Sequence, residues 1–426
     1  MSATRPLGLL AAIALVVGNM VGSGVFLLPA SLAPYGAASL VGWGITLGGA
    51  LLLALTFAWL AARWPQTGGP YAYARNVFGD TPGFVIAWSY WISIWCANAA
   101  IAVAFAGSIG AIFPGLVSSP LRAAACALAA LWICTATNLA GVREAGRMQI
   151  LTTVLKLVPL LLFGGIAVWF IDARNLQPPT ASAIALPDTI NATVALTLWA
   201  FLGLEAATIP AGSITDARRT IPRATLIGTL LAGVATILAC TAVLGVLPAA
   251  QLQESAAPMA DAARALWGPG AAIGVAAVAA VSCFGALNGW VLLSAQIPLA
   301  AARDGLFPPA FERLNAGGTP AFGVIASSVL ASVLVISNYT RSLVQLFTFS
   351  ILLSTAATLL PYVASSAAWL VRGDRGRVVA LLALLYSLYA LVGTGHESLL
   401  WGGVLIAAGL PLHVWWRRKK PPGAAS

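Results

Sequence analysis

Polar positions in this chain are sparse and clustered, and between the clusters run apolar stretches of about 20 residues. A hydrocarbon core of about 30 Å asks for helices of that length. Such stretches recur at 8–33, 37–62, 82–112, 121–140, 147–171, 189–213, 222–247, 270–301, 319–338, 341–371, 377–394 and 398–416. They predict an all-α polytopic membrane protein with twelve transmembrane helices. The segments between them, such as "RWPQTGGP", "FPGLVSSP", "RNLQPP" and "RLNAGGTP", carry loop punctuation. The first stretch follows only Arg5 and runs past residue 33 without an A-x-A-like cleavage site, which predicts a retained helix.

Two stretches are interrupted. The first contains "GNMVGSGVF", with three glycines and a serine inside Gly18 to Gly24. The sixth contains "WAFLGLEAATIPAG", with Gly203 and Glu205 in mid-run and Pro210 after them. Small residues at one place are also what close helix packing requires. Interruptions in spans one and six occupy corresponding places if spans 1–5 and 6–10 are two repeats, about 8–171 and 189–371. The helices at about 377–416 are then additional. That arrangement predicts a single transmembrane transporter domain with a 5+5 inverted repeat, discontinuous helices 1 and 6, and a site where they meet. Unwinding near Gly22-Ser23-Gly24 frees N–H groups that suit a carboxylate and C=O groups that suit an ammonium.

Composition confirms the class. The 426 residues are 60% hydrophobic and 8% charged, with mean hydropathy +0.92, more apolar surface than a soluble domain hides. Of the 22 lysines and arginines, Arg122, Arg174, Arg264 and Arg341 fall on one side of the twelve-span topology. Lys156 lies within a span, and the others fall on the opposite side. This asymmetry predicts cytoplasmic termini, and it makes the net charge of +10 a matter of topology rather than a nucleic-acid surface. Cys96, Cys126, Cys134, Cys240 and Cys283 lie in spans without metal-ligand spacing, and His396 and His413 form no cluster. No metal, no cofactor and no enzymatic constellation is predicted.

The polar residues at depth carry the chemistry. Glu205 is the one acid of twelve placed in mid-span. An intramembrane carboxylate suggests proton exchange, against a permanently neutral hydrogen-bonding role. Lys156, in "TTVLKLVPLL", is either a buried amine, a fixed cation in the place of a metal ion, or a snorkelling side chain. Asn98 and Tyr90 share the third span with Trp91 and Trp95, and an amide at that depth needs a partner. Trp290 follows Gly289, so its indole is either packing or a cation–π platform.

The segments "GNMVGSGVFLLPA", "PQTGGPYAYAR", "TLWAFLGLEAA", "NGWVLLSAQ" and "DGLFPP" resemble the amino acid–polyamine–organocation (APC) transporters. The resemblance runs from the first span to the last. It is strongest to the basic amino acid/polyamine antiporter branch, especially its bacterial arginine/agmatine type. It implies alternating access in a bacterial inner membrane and often a homodimer. It further implies that Ser23 and the Gly24 amide hold a substrate carboxylate, and that carbonyls near Met20, Trp199 and Leu202 hold its α-ammonium. Trp290 would stack on the distal group. Asn98 and Ser354, with carbonyls near Ser93 and Ile94, would bind its tip. Trp199 would be a middle gate, Tyr90 part of an inner gate, and Glu205 the proton-sensitive residue. Ile94 and Ile101 depart from the sulfur-containing residues expected around the distal pocket. Lys156 departs from the small residue expected there and resembles proton-coupled permeases, in which an amine fills a sodium site. The leading expectation is exchange of a cationic, arginine-like amino acid for a related amine, such as its decarboxylated form, or another amino acid. The alternatives are a proton-coupled permease for broader or neutral amino acids and a non-transporting membrane sensor.

Overall fold

The computed structural model describes residues 7–66, 68–140, 145–177, 185–209 and 211–419. Arg5 and Pro210, named above, and Arg143 and Lys420, among the basic residues weighed there, lie outside the described residues. The order of helices is α1 (Leu9–Met20), α2 (Ser23–Leu32), α3 (Ala38–Arg63), α4 (Pro70–Phe78), α5 (Asp80–Ile112), α6 (Pro120–Leu139), α7 (Ala145–Ala167) and α8 (Leu186–Leu198). There follow α9 (Ala217–Val246), α10 (Ala249–Glu254), α11 (Pro258–Trp267), α12 (Pro269–Arg303), α13 (Ala321–Ser337), α14 (Leu343–Arg372), α15 (Arg377–Gly393) and α16 (Gly395–Lys419). Among the described residues there is no strand, only a parallel bridge between Leu7 and Ile214.

Nine helical stretches among the described residues are long and apolar enough to cross a membrane. The first is the α1–α2 pair, continued to Tyr35. The expected ninth and eleventh spans are the shorter apolar helices α13 and α15. The expected sixth is α8 with the irregular chain after it. At the centre, α5 packs along both α12 and α14, so nearly its whole circumference is buried.

Both interruptions are present, and each has a local cause. In the first span α1 ends at Met20; Val21 leaves the helical region at ψ 86, and Gly22 is neither helical nor extended at φ −131 and ψ −136. The break is narrower than expected, because Ser23 and Gly24 already open α2. In the sixth span the break is wider. After α8 come short 3₁₀ turns at Trp199–Phe201, Ala206–Thr208 and Ala211–Ser213, and α-helix resumes only at Ala217. Gly203 sits between the first two turns at φ +103, a conformation that favours glycine. The breaks touch there, since a Cβ on Gly203 would lie 3.0 Å from Asn19 Cβ.

Candidate functional site

The two breaks and the middle of α5 and α14 enclose a central cavity of about 20 Å³, room for little more than one water molecule. Of the residues singled out in the sequence, Met20, Ser23, Gly24, Tyr90, Ser93, Trp199, Leu202, Glu205, Trp290, Ser354 and Ile101 line it. Gly22, part of the expected break, lines it too, as do Asn19, Ala97 and Thr358, which were not anticipated. Ile94 and Asn98 are buried on α5 but are not among the lining residues.

Each wall has its own chemistry. The start of α2 presents Ser23, whose hydroxyl is buried without a hydrogen-bond partner. Gly24 is required by close approach: a Cβ there would come within 2.8 Å of Trp199 Cδ1. Removing that Cβ lets the indole lie against the first turn of α2. Trp199 meets Phe347 edge-to-face, with ring centroids 6.5 Å apart. Trp290 forms another wall from α12 and is 6% exposed. Asn19 closes the end of α1, its amide donating to Leu15 O at 2.8 Å.

Below the cavity Glu205 is fully buried. It accepts from Tyr90 Oη at 2.5 Å, Tyr362 Oη at 2.6 Å and the Gly203 N–H at 3.2 Å. Tyr362 escaped the sequence reading; a tyrosine behind Pro361 in "LLPYVASS" looks like any interface aromatic. Two predicted distal groups bond to each other: Ser354 Oγ donates to Ser93 O at 2.7 Å, while Ser93 Oγ donates to Tyr90 O at 2.7 Å. Asn98 has neither side-chain polar atom paired. An unmade buried bond costs about 1–3 kcal/mol, so this amide is the most expensive polar group beside the cavity.

Lys156 stands outside the cavity, behind the first break. It is 4% exposed, and its Nζ lies 3.5 Å from Gly18 O. One turn earlier on α7, Thr153 Oγ1 donates to Ala14 O at 3.0 Å. Both side chains address carbonyls of the α1 half-helix. Among the described residues no three His, Cys, Asp or Glu side chains form a metal-holding group.

The two ends of the bundle differ. Towards the start of α14 and of α16, a vestibule of about 850 Å³ opens between α2, α8 and α14. At the other end, Arg75 of α4 binds Asp304 at 2.8 Å and Asp80 at 3.0 Å. Tyr71 donates to Asp304 at 2.7 Å. Burial, then the bond to Asp304, raises the Tyr71 hydroxyl well above its ordinary value, so it remains a donor. The loop before α4 lies on the unwound sixth span, with Gly68 N–H donating to Ile209 O at 3.2 Å.

Comparison with known proteins bears on this geometry. Residues 7–398 match the profile of the family described as amino acid permease. A Bacillus subtilis protein named "Putative arginine/ornithine antiporter" is 33% identical, with 94% of each chain covered. The "Putrescine transporter PotE" of Escherichia coli K12 is 30% identical over 94% of this chain and 93% of its own. The "Cadaverine/lysine antiporter" of the same strain is 34% identical over 79% of this chain and 76% of its own.

Proposed function

We propose, since this chain belongs to the amino acid permease family and to its basic amino acid/polyamine antiporter branch, that it exchanges a cationic amino acid for a related amine by alternating access. The family and the similar proteins are transporters, not enzymes, and the apolar helices make the chain a multi-pass membrane protein. The observation that carries the finer reading is the cavity between two broken spans. It joins an indole face, backbone groups of α1 and α2, and a buried carboxylate. In this reading Ser23 and the Gly24 amide take the substrate carboxylate at the positive end of α2. Carbonyls at Met20, Trp199 and Leu202 take its α-ammonium. Trp290 stacks on the distal cation, and Ser93 and Ser354 take its tip, with Ile94 and Asn98 buried beside them on α5. Trp199 gates the path to the vestibule, while Tyr90 gates the opposite path. The relatives' printed substrates include the diamines putrescine and cadaverine, which makes diamines the first amines to test.

The domain is read as one transmembrane unit with repeats over about 8–171 and 189–371, giving twelve spans and a 5+5 plan. Positive charge around α4 and the start of α9 supports a cytoplasmic position for that end, in a bacterial inner membrane. The vestibule then faces outwards, and the structure is closed on the inside. A homodimer is part of the same proposal. The test is uptake of labelled lysine, arginine or ornithine into proteoliposomes loaded with a panel of amino acids and amines. Exchange requires stimulation by internal substrate. Equal uptake into empty vesicles under a proton gradient would replace it with the second reading, a proton-coupled permease. That reading is favoured by one observation, the amine of Lys156 beside the first break.

A further inference from the structure

The vestibule carries a feature that transport through the central cavity does not explain. Arg341, just before α14, and Glu397, in the first turn of α16, pair across it with Nη2 2.8 Å from Oε1. The Arg341 guanidinium also lies over Phe349, 4.8 Å from the ring centroid. Arg341, Glu397 and Phe349 all line the 850 Å³ space. The side chains of the ion pair are 36% and 53% exposed. A pair so exposed adds little to stability. Its two opposite charges nevertheless stand side by side in a space several times larger than an amino acid, with Arg341 held against an aromatic face.

We propose that Arg341 and Glu397 form an outer docking site for the zwitterionic head of an amino acid, and that this site discriminates against the decarboxylated amine. An α-amino acid brings a carboxylate and an ammonium on one carbon. The guanidinium fork matches the carboxylate, and the Glu397 oxygen that does not bond Arg341 accepts the ammonium. A diamine has nothing to offer Arg341 and meets its positive charge. From this site α2, α8 and α14 lead inward. Ala30 and Ser31, Ala192 and Leu196, and Phe349 and Leu352 line the vestibule, while Ser23, Trp199 and Ser354 line the cavity. An amino acid captured outside is therefore delivered to the Trp199 gate, and an amine released through the same gate is not recaptured. This inference rests on the exchange reading and on the outward orientation of the vestibule.

The experiment measures the external KM for lysine and for cadaverine in exchange, in proteoliposomes of defined orientation. Arg341→Gln should raise the lysine KM about fivefold, the scale of one exposed charge contact. It should lower the cadaverine KM, because the repelling charge is gone, and leave both maximal rates unchanged. Glu397→Gln should raise both KM values, and Arg341→Lys should keep most of the preference for lysine. Equal changes for the two substrates, or none, would overturn the docking site while leaving exchange intact. A change in the internal KM would assign the pair to structure instead and overturn it as well. A wild type that carries neither substrate would overturn the exchange reading, and the inference with it.

Discussion

Glu205 has three hydrogen-bond donors, and none of them carries a charge. Tyr90 comes from α5, Tyr362 from α14 and the Gly203 N–H from the sixth break itself. A proton on the carboxyl adds a donor where donors already converge, and is expected to weaken the bond from one tyrosine. We propose that charge at this carboxyl bears on the closure of α5 and α14 on the sixth span. Glu205→Gln, which mimics the protonated form, should flatten the pH profile of transport; a profile parallel to that of the wild type would remove Glu205 from this role. Trp290 is argued at the same scale. Its loss in Trp290→Leu removes a cation–π contact of about 0.5–2 kcal/mol, or about 2- to 30-fold in affinity for a cationic substrate. Calorimetry on the purified protein reads this directly, and an unchanged affinity assigns the indole to packing.

At the scale of elements, the first span stays broken because its freed groups find partners. Gly18 O, near the end of α1, faces Lys156 Nζ at 3.5 Å, and a turn earlier within the helix Ala14 O takes an added bond from Thr153. In lipid, unpaired carbonyls would cost several kcal/mol each. We propose that an ammonium at this place does what a sodium ion would do, so transport is expected to be sodium-independent. Lys156→Ala should loosen α1 and impair uptake at every pH rather than shift the optimum. Stimulation of the wild type by sodium would sink the idea, as would full activity in the variant.

For the whole molecule, the contrast between its ends defines its state. The vestibule is lined inward as far as Leu196 and Leu352, whereas the opposite end is tied by Arg75, Asp304 and Tyr71 across α4 and the end of α12. Opening that end must separate α4 from α12. The ion pair is about one-third exposed, so screening limits its contribution to about 1 kcal/mol or less. Asp304→Asn should accordingly raise amide hydrogen exchange across 70–78 by up to about fivefold. Exchange identical to that of the wild type would show that the network does not hold this end closed.

Hydrocarbon thickness acts on each stretch separately, so the apolar runs and the two glycine-rich breaks were legible in the chain before any fold was known. Glu205 and Lys156 were legible for the same reason: a titratable group at depth is conspicuous wherever it packs. Partners were not. Tyr362 meets Glu205 across 157 positions, and Arg341 meets Glu397 across 56. Only packing brings such pairs together, and the tyrosine has the composition of an ordinary interface residue. Helix rotation was equally hidden. Because α5 is apolar and buried almost all round, its pattern marks no single face. Tertiary packing alone turned Ser93, Ala97 and Ile101 towards the cavity and left Ile94 and Asn98 off its lining.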